Sequence, residues 1–124
     1  MSYQLDDLLY LMQRLRDPQH GCPWDLEQSY ATIVPHTLEE AYEVADAIEQ
    51  GDFDQLRGEL GDLLFQVVFY AQLASEEERF SWNEVVDGIT RKLVKGPVLA
   101  VPYGGSFQGV ADMLLEDLDA HLGH

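Results

Sequence analysis

Apolar residues recur at spacings of three and four from the start of the chain, where Leu5, Leu8, Leu9, Met12 and Leu15 trace one face. That period predicts an amphipathic helix over residues 3–16, stopped by Asp17-Pro18. The segment His20-Gly21-Cys22-Pro23-Trp24-Asp25 is dense in turn formers and carries a large aromatic ring, which predicts an ordered loop. A second helix starts between Ser29 and Pro35 and runs to about Gln50, because Val34, Leu38, Ala41, Tyr42, Ala45 and Ile48 keep one apolar face; Gly51 stops it. Asp52 followed by Gln55 has the form of a capping box, so a third helix begins at once and continues to about Glu78. Gly51-Asp52 is then the turn of an αα-hairpin. Ser81 with Glu84 repeats the capping pattern ahead of a fourth helix that carries Val85, Val86, Ile89, Leu93 and Val94 to about Lys95. Residues 96–109 contain Pro97, Pro102, Gly104 and Gly105 and predict a loop or linker. Residues 110–122 predict a short acidic helix with Met113, Leu114 and Leu118 facing inward. The fold class is all-α: a helical domain over residues 1–95, built on an antiparallel two-helix hairpin, followed by a divergent tail at 96–124.

The third helix is apolar on nearly every side, with Leu56, Leu60, Leu63, Leu64, Phe65, Val67, Val68, Phe69 and Leu73. Such a helix belongs inside a bundle or a dimer interface, and it has too much apolar circumference for a small monomer to cover. Glu59 and Asp62 are embedded in it. The second helix carries Glu39, Glu40 and Glu43. Residues three apart are neighbours on a helix surface, so Glu40/Glu43 and Glu59/Asp62 form two pairs. On antiparallel helices that pivot at Gly51, positions whose numbers sum to about 102 stand at the same height, which sets Glu43 against Glu59 and Glu40 against Asp62.

Like charges brought together repel and raise each other's pKa, and an ionised carboxylate buried without a partner costs several kcal/mol, an order-of-magnitude figure. A divalent cation resolves the conflict. Two blander readings stand beside it: Glu39, Glu43 and Asp46 as a solvated helix face, and Glu59 and Asp62 each paired with a basic side chain. Oxygen donors without Cys or a suitably placed His favour Mg²⁺, with Mn²⁺ as a substitute. His36, alone and three residues before Glu39, reads as a surface or capping group.

The chain has 124 residues and a mass of 14.1 kDa, enough for one domain. Seven Lys and Arg against 23 Asp and Glu leave a net charge of -16, a field that disfavours nucleic-acid and membrane-surface partners. Magnesium on one-sided carboxylates keeps open positions for phosphates, which explains how so acidic a protein can bind a polyanion. The longest apolar stretch, 60–73, contains Gly61, Asp62, Gln66 and Gln72 and is too short and polar to span a bilayer. Nothing in residues 1–7 looks like an export signal, and the single cysteine, Cys22, fits a reducing cytoplasmic setting. Arg57, Arg91, Lys92 and Lys95 are candidates to clamp phosphates, with ion pairing as the ordinary alternative. Trp24 either stacks on a base or packs the loop against the bundle.

Glu39-Glu40-x-x-Glu43 followed by Glu59-x-x-Asp62 resembles the EExxE…ExxD signature of the all-α nucleoside triphosphate pyrophosphohydrolases. Leu15-Arg16-Asp17-Pro18, Gly21-Cys22-Pro23-Trp24-Asp25 and the run from Leu56-Arg57-Gly58 to Leu64-Phe65-Gln66 are similar to the MazG branch, most of all to the first domain of tandem MazG proteins. The resemblance implies a helical dimer that uses Mg²⁺ to hydrolyse a nucleoside triphosphate to the monophosphate and pyrophosphate. It also implies Glu40, Glu43, Glu59 and Asp62 as metal ligands, with Glu39 orienting or deprotonating the water or holding a second ion. The chain departs from the pattern after Arg91-Lys92-Leu93-Val94-Lys95, where Gly96-Pro97-Val98-Leu99-Ala100 replaces a basic, His-containing segment. The alternative is a catalytically weak or inactive MazG-like module serving dimerisation or regulation.

Overall fold

A computed structural model describes residues 2–95 and 107–123. It is all-α, with no strand among the described residues: α1 (Leu5–Leu15), α2 (Pro23–Leu26), α3 (Tyr30–Gln50), α4 (Phe53–Glu76), α5 (Trp82–Lys95) and α6 (Phe107–Leu122). Two compact units divide the chain, one ending at Trp82 and the other beginning at Asn83.

The α3–α4 hairpin is the frame of the first unit. Gly51 adopts φ 69°, the left-handed conformation that glycine reaches without a side-chain clash. Its N–H bonds the Ile48 carbonyl, and the Asp52 N–H bonds the Ala47 carbonyl, each at 3.1 Å. Asp52 Oδ1 then accepts the Gln55 N–H at 3.1 Å and starts α4. Only this half of the expected capping box forms, because the backbone N–H that Gln55 would have satisfied already closes α3. At the other end of α3, Ser29 and Thr32 cap each other's backbone, so the helix begins five residues before Pro35.

The core gathers Met12 of α1, Ile33 of α3 and Val68, Phe69 and Leu73 of α4, with Leu8, Leu9, Tyr30, Phe65, Tyr70 and Trp82 packed around them. Residues 23–25, expected as loop, belong instead to the single turn α2; Pro23 sits at its first position, where a missing N–H is not needed. Gly21 enters this turn so close to α1 that a Cβ would lie 2.3 Å from the Leu15 carbonyl oxygen. Arg16 holds the junction, donating to Glu76 at 3.0 and 2.6 Å and to the Asp25 carbonyl at 2.6 Å. Helix α4 ends at Glu76, slightly before the expected limit, and Glu78 turns the chain with φ 57°.

The apolar face expected on the second helix is present, but it is not the face that meets α4. Val34, Leu38, Tyr42 and Ile48 are exposed, while Ile33 and Ala47 are buried. The seam against α4 runs instead through Ile33, Thr37, Glu40, Val44 and Ala47, at spacings of four and three. On α4, Leu60, Leu64 and Val67 are likewise exposed. Helix α6 begins at Phe107 rather than at residue 110; Leu114 and Leu118 are half-buried as expected, whereas Met113 is exposed. The expected linker at 96–106 lies outside the described residues.

Candidate active site

Glu40, Glu59 and Asp62 converge across the hairpin. One carboxylate oxygen from each lies within 4.8 Å of the others. Glu40 and Glu59 are half-buried and Asp62 is exposed, so the group opens to solvent on one side. Among the described residues no salt bridge reaches any of the three, which removes the reading of Glu59 and Asp62 as acids paired with basic side chains.

The expected pairing by height is corrected in one respect: Glu40 meets both Glu59 and Asp62, and Glu43 stands outside the group. Residue 40 lies on the seam, while residue 43 is rotated about 60° from it at 100° per residue, on the shoulder of α3. Glu39, exposed beside Glu40, also stands outside the group but acts on Glu40 through its charge.

Burial first, then a hydrogen bond to Glu59 and the charges of Asp62, Glu59 and Glu39, push the Glu40 carboxyl up to about 7. Glu40 Oε2 is fully buried without a hydrogen-bond partner. With every acid ionised, this oxygen has no donor, and a proton retained on Glu40 is how the protein alone lowers the cost. A divalent cation relieves it equally well and satisfies Glu59 and Asp62 at the same time. The oxygen-only donor set and the orphaned atom therefore fit a hard cation.

A match to the MazG nucleotide pyrophosphohydrolase domain covers residues 28–96, more than half of the chain. The chain belongs to the MazG family. Over 90 residues it is 68% identical to the nucleoside triphosphate pyrophosphohydrolase of Escherichia coli K12, an alignment that takes in 73% of this chain and 34% of the relative. It is 39% identical over 90 residues to the nucleoside triphosphate pyrophosphohydrolase/pyrophosphatase MazG of Thermotoga maritima, covering 73% of this chain and 35% of that protein. With the Mycobacterium tuberculosis nucleoside triphosphate pyrophosphohydrolase it shares 41% identity over 92 residues, 73% of this chain and 27% of the relative. The chain spans about a third of the length of the curated relatives it matches.

The remaining candidates of this MazG domain fall on three helices, α2, α4 and α5. Trp24, on α2, is 51% exposed and meets the His36 ring edge-on at 5.8 Å between centroids. Arg57 is exposed on α4 with its Nη2 3.5 Å from Asp54. Arg91 donates to Asp87 at 2.6 Å, and it shares α5 with Lys92 and Lys95 in the second compact unit. No motif in the sequence marks His36 as Trp24's partner, or Thr37, whose hydroxyl reaches Gln66 and Tyr70 across the hairpin. The available signal was spacing: Thr37 lies three residues before Glu40, and Gln66 four after Asp62. No described helix is long and apolar enough to cross a membrane.

Proposed function

We propose that this chain hydrolyses a nucleoside triphosphate between its α- and β-phosphates, releasing the monophosphate and pyrophosphate. The observation that carries the reading is a Glu40 carboxylate that has one buried, unpartnered oxygen and converges on Glu59 and Asp62 in a MazG domain. Glu40, Glu59 and Asp62 hold Mg²⁺, or Mn²⁺ in its place, and Glu43 completes the ligand set from the next turn of α3. The bound ion supplies Lewis-acid attraction for phosphate oxygens and a more acidic water.

Glu39 is exposed to solvent next to this set and takes the proton of the attacking water, or orients it. Arg57, on the helix that carries Glu59 and Asp62, offsets the charge of the triphosphate and of the leaving pyrophosphate. Trp24 presents half of its indole to a base. The exposed apolar stripes of α3 and α4 support a homodimer in which a second copy covers them. The single cysteine and the acidic surface suit a protein of the cytoplasm.

Pyrophosphate release from a panel of triphosphates in Mg²⁺ tests the activity. Glu40→Gln and Asp62→Asn abolish it on this reading; undiminished turnover in those variants refutes the site. Tight binding of Mg²⁺ and a non-hydrolysable triphosphate with no turnover by the unaltered chain makes it a binding module instead.

A further inference from the structure

Besides the carboxylates, a second set of polar side chains bridges α3 and α4. Thr37 Oγ1 lies 2.5 Å from Tyr70 Oη, 3.5 Å from Gln66 Oε1 and 3.2 Å from the Ile33 carbonyl oxygen. A hydroxyl has one proton, and here it faces two acceptors, Ile33 and Gln66. The short contact to Tyr70 can be donated by either hydroxyl, and when Thr37 gives its proton to Ile33 or Gln66 it is Tyr70 that donates. Tyr70 is itself held: its ring stacks on Tyr30 at 6.4 Å and 11°, and the Tyr30 hydroxyl donates to Glu77 at 2.6 Å.

The location gives this set its meaning. Thr37 is one turn before Glu40 on the α3 seam, and Gln66 is one turn beyond Asp62 on α4. Three acids that repel one another press the two helices to slide or part, and apolar packing resists sliding weakly because it is non-directional. A hydrogen bond is directional and holds its length to a few tenths of an ångström. The Gly51 turn anchors the hairpin about three turns from Glu40 on one side of the carboxylates, and the Thr37–Tyr70 bond anchors it on the other, about one turn from Glu40 along α3 and about two turns from Asp62 along α4.

We propose that Thr37 and Tyr70 are positioning residues: their hydrogen bond fixes the height of α3 on α4 at which Glu40 converges with Glu59 and Asp62. The inference rests on the reading of those three acids as a divalent-cation site. A ligand set that is already formed loses less ordering entropy when the cation arrives.

The test is Mn²⁺ binding to the full chain, followed by the paramagnetic resonance of the free ion, with helicity and melting temperature recorded for each variant. Tyr70→Phe keeps the stacked ring and removes only its hydroxyl; Thr37→Val removes the other hydroxyl; Thr37→Ser keeps it. Tyr70→Phe and Thr37→Val are expected to bind Mn²⁺ about tenfold more weakly while remaining helical, and Thr37→Ser to stay within about twofold of the unaltered chain. Tyr70→Phe decides the matter even where Thr37→Val does not fold. Lower melting temperatures with unchanged Mn²⁺ affinity would mean a merely structural bond and overturn the inference, as would a Thr37→Ser variant as weak as Thr37→Val. Glu40→Gln separates the two levels. If the unaltered chain and Glu40→Gln bind Mn²⁺ alike, the cation site itself is wrong and the positioning role falls with it.

Discussion

Glu40 on α3 and Glu59 on α4 bring carboxylate oxygens within 4.8 Å of each other, a closeness that two acids tolerate best while one of them keeps its proton. Burial and the neighbouring negative charges raise the Glu40 carboxyl from 4.5 to about 7. The folded, metal-free protein therefore holds this proton more tightly than the unfolded chain does. The resulting stability is fully present below about pH 4.5 and is lost as pH rises through about 7, by on the order of 1 kcal/mol after solvent screening. A cation has to displace the same proton. Mn²⁺ affinity is thus expected to rise with pH up to about 7 and then level off, which titrations at pH 5, 6, 7 and 8 will show; a flat profile would remove Glu40 from the ligand set.

Replacing Glu40 by Gln separates stability from function. The amide keeps the shape, supplies a donor to Glu59 and deletes one of the repelling charges. At about pH 8 without metal, Glu40→Gln is expected to melt higher than the unaltered chain, by roughly 1 kcal/mol, while pyrophosphate release falls to background. A lower melting temperature would show that Glu40 is no burden to the fold.

The hairpin, its glycine turn and its acids were legible because each leaves a local mark: the Gly51-Asp52 stop and restart, the three-and-four period, and the EExxE and ExxD spacings. Which face of α3 meets α4 was not legible. Val34, Leu38 and Tyr42 form the more apolar stripe, yet the chain buries the mixed one carrying Ile33, Thr37 and Glu40. A period identifies a face without identifying its partner, and here two apolar faces compete for one neighbour within the chain. For the same reason height alone sets Glu43 opposite Glu59, whereas convergence depends also on rotation about the helix axis.

The exposed stripe gives a prediction of its own. Leu38 and Tyr42 are 67% and 72% exposed, one turn apart on α3. If a second copy covers them, Leu38→Glu places a charge in an apolar contact and converts the dimer to monomer. Sedimentation at micromolar concentration measures this; an unchanged species would put the dimer contact elsewhere.

Gly21 and Gly88 make a matched pair. A Cβ on Gly21 would strike backbone atoms of Leu15 and Asp17, whereas one on Gly88 meets nothing within 4 Å. Gly21→Ala is expected to destabilise the chain by about 2 kcal/mol or more, because backbone cannot rotate out of the way as a side chain can. Gly88→Ala, in the middle of α5, is expected to be neutral or to stabilise by up to about 1 kcal/mol. Urea melts of the two variants give the comparison directly.

Arg16 joins α1, α2 and α4 through three donated hydrogen bonds, two to Glu76 and one to the Asp25 carbonyl, and its guanidinium lies over the Phe69 ring at 5.9 Å. Burial acts to raise the Glu76 carboxyl, but the hydrogen bonds from Arg16 and Gln72 outweigh it and hold Glu76 below its ordinary value. The pair therefore stabilises the fold above the ordinary carboxylate range and loses that contribution as pH falls through the lowered Glu76 value. Arg16→Ala is expected to destabilise the chain by about 2 kcal/mol near neutral pH, since it leaves Glu76 and the Asp25 carbonyl without their donors. Arg16→Lys is expected to recover only part of this, because one ammonium cannot reproduce a fork aimed at a carboxylate together with a third bond to a carbonyl. Melting curves from pH 7 down to 3 provide the check. The gap between the unaltered chain and Arg16→Ala should narrow towards acid as Glu76 takes up its proton, and a gap that stays constant would mean that packing on Phe69, and not the ion pair, is what Arg16 contributes.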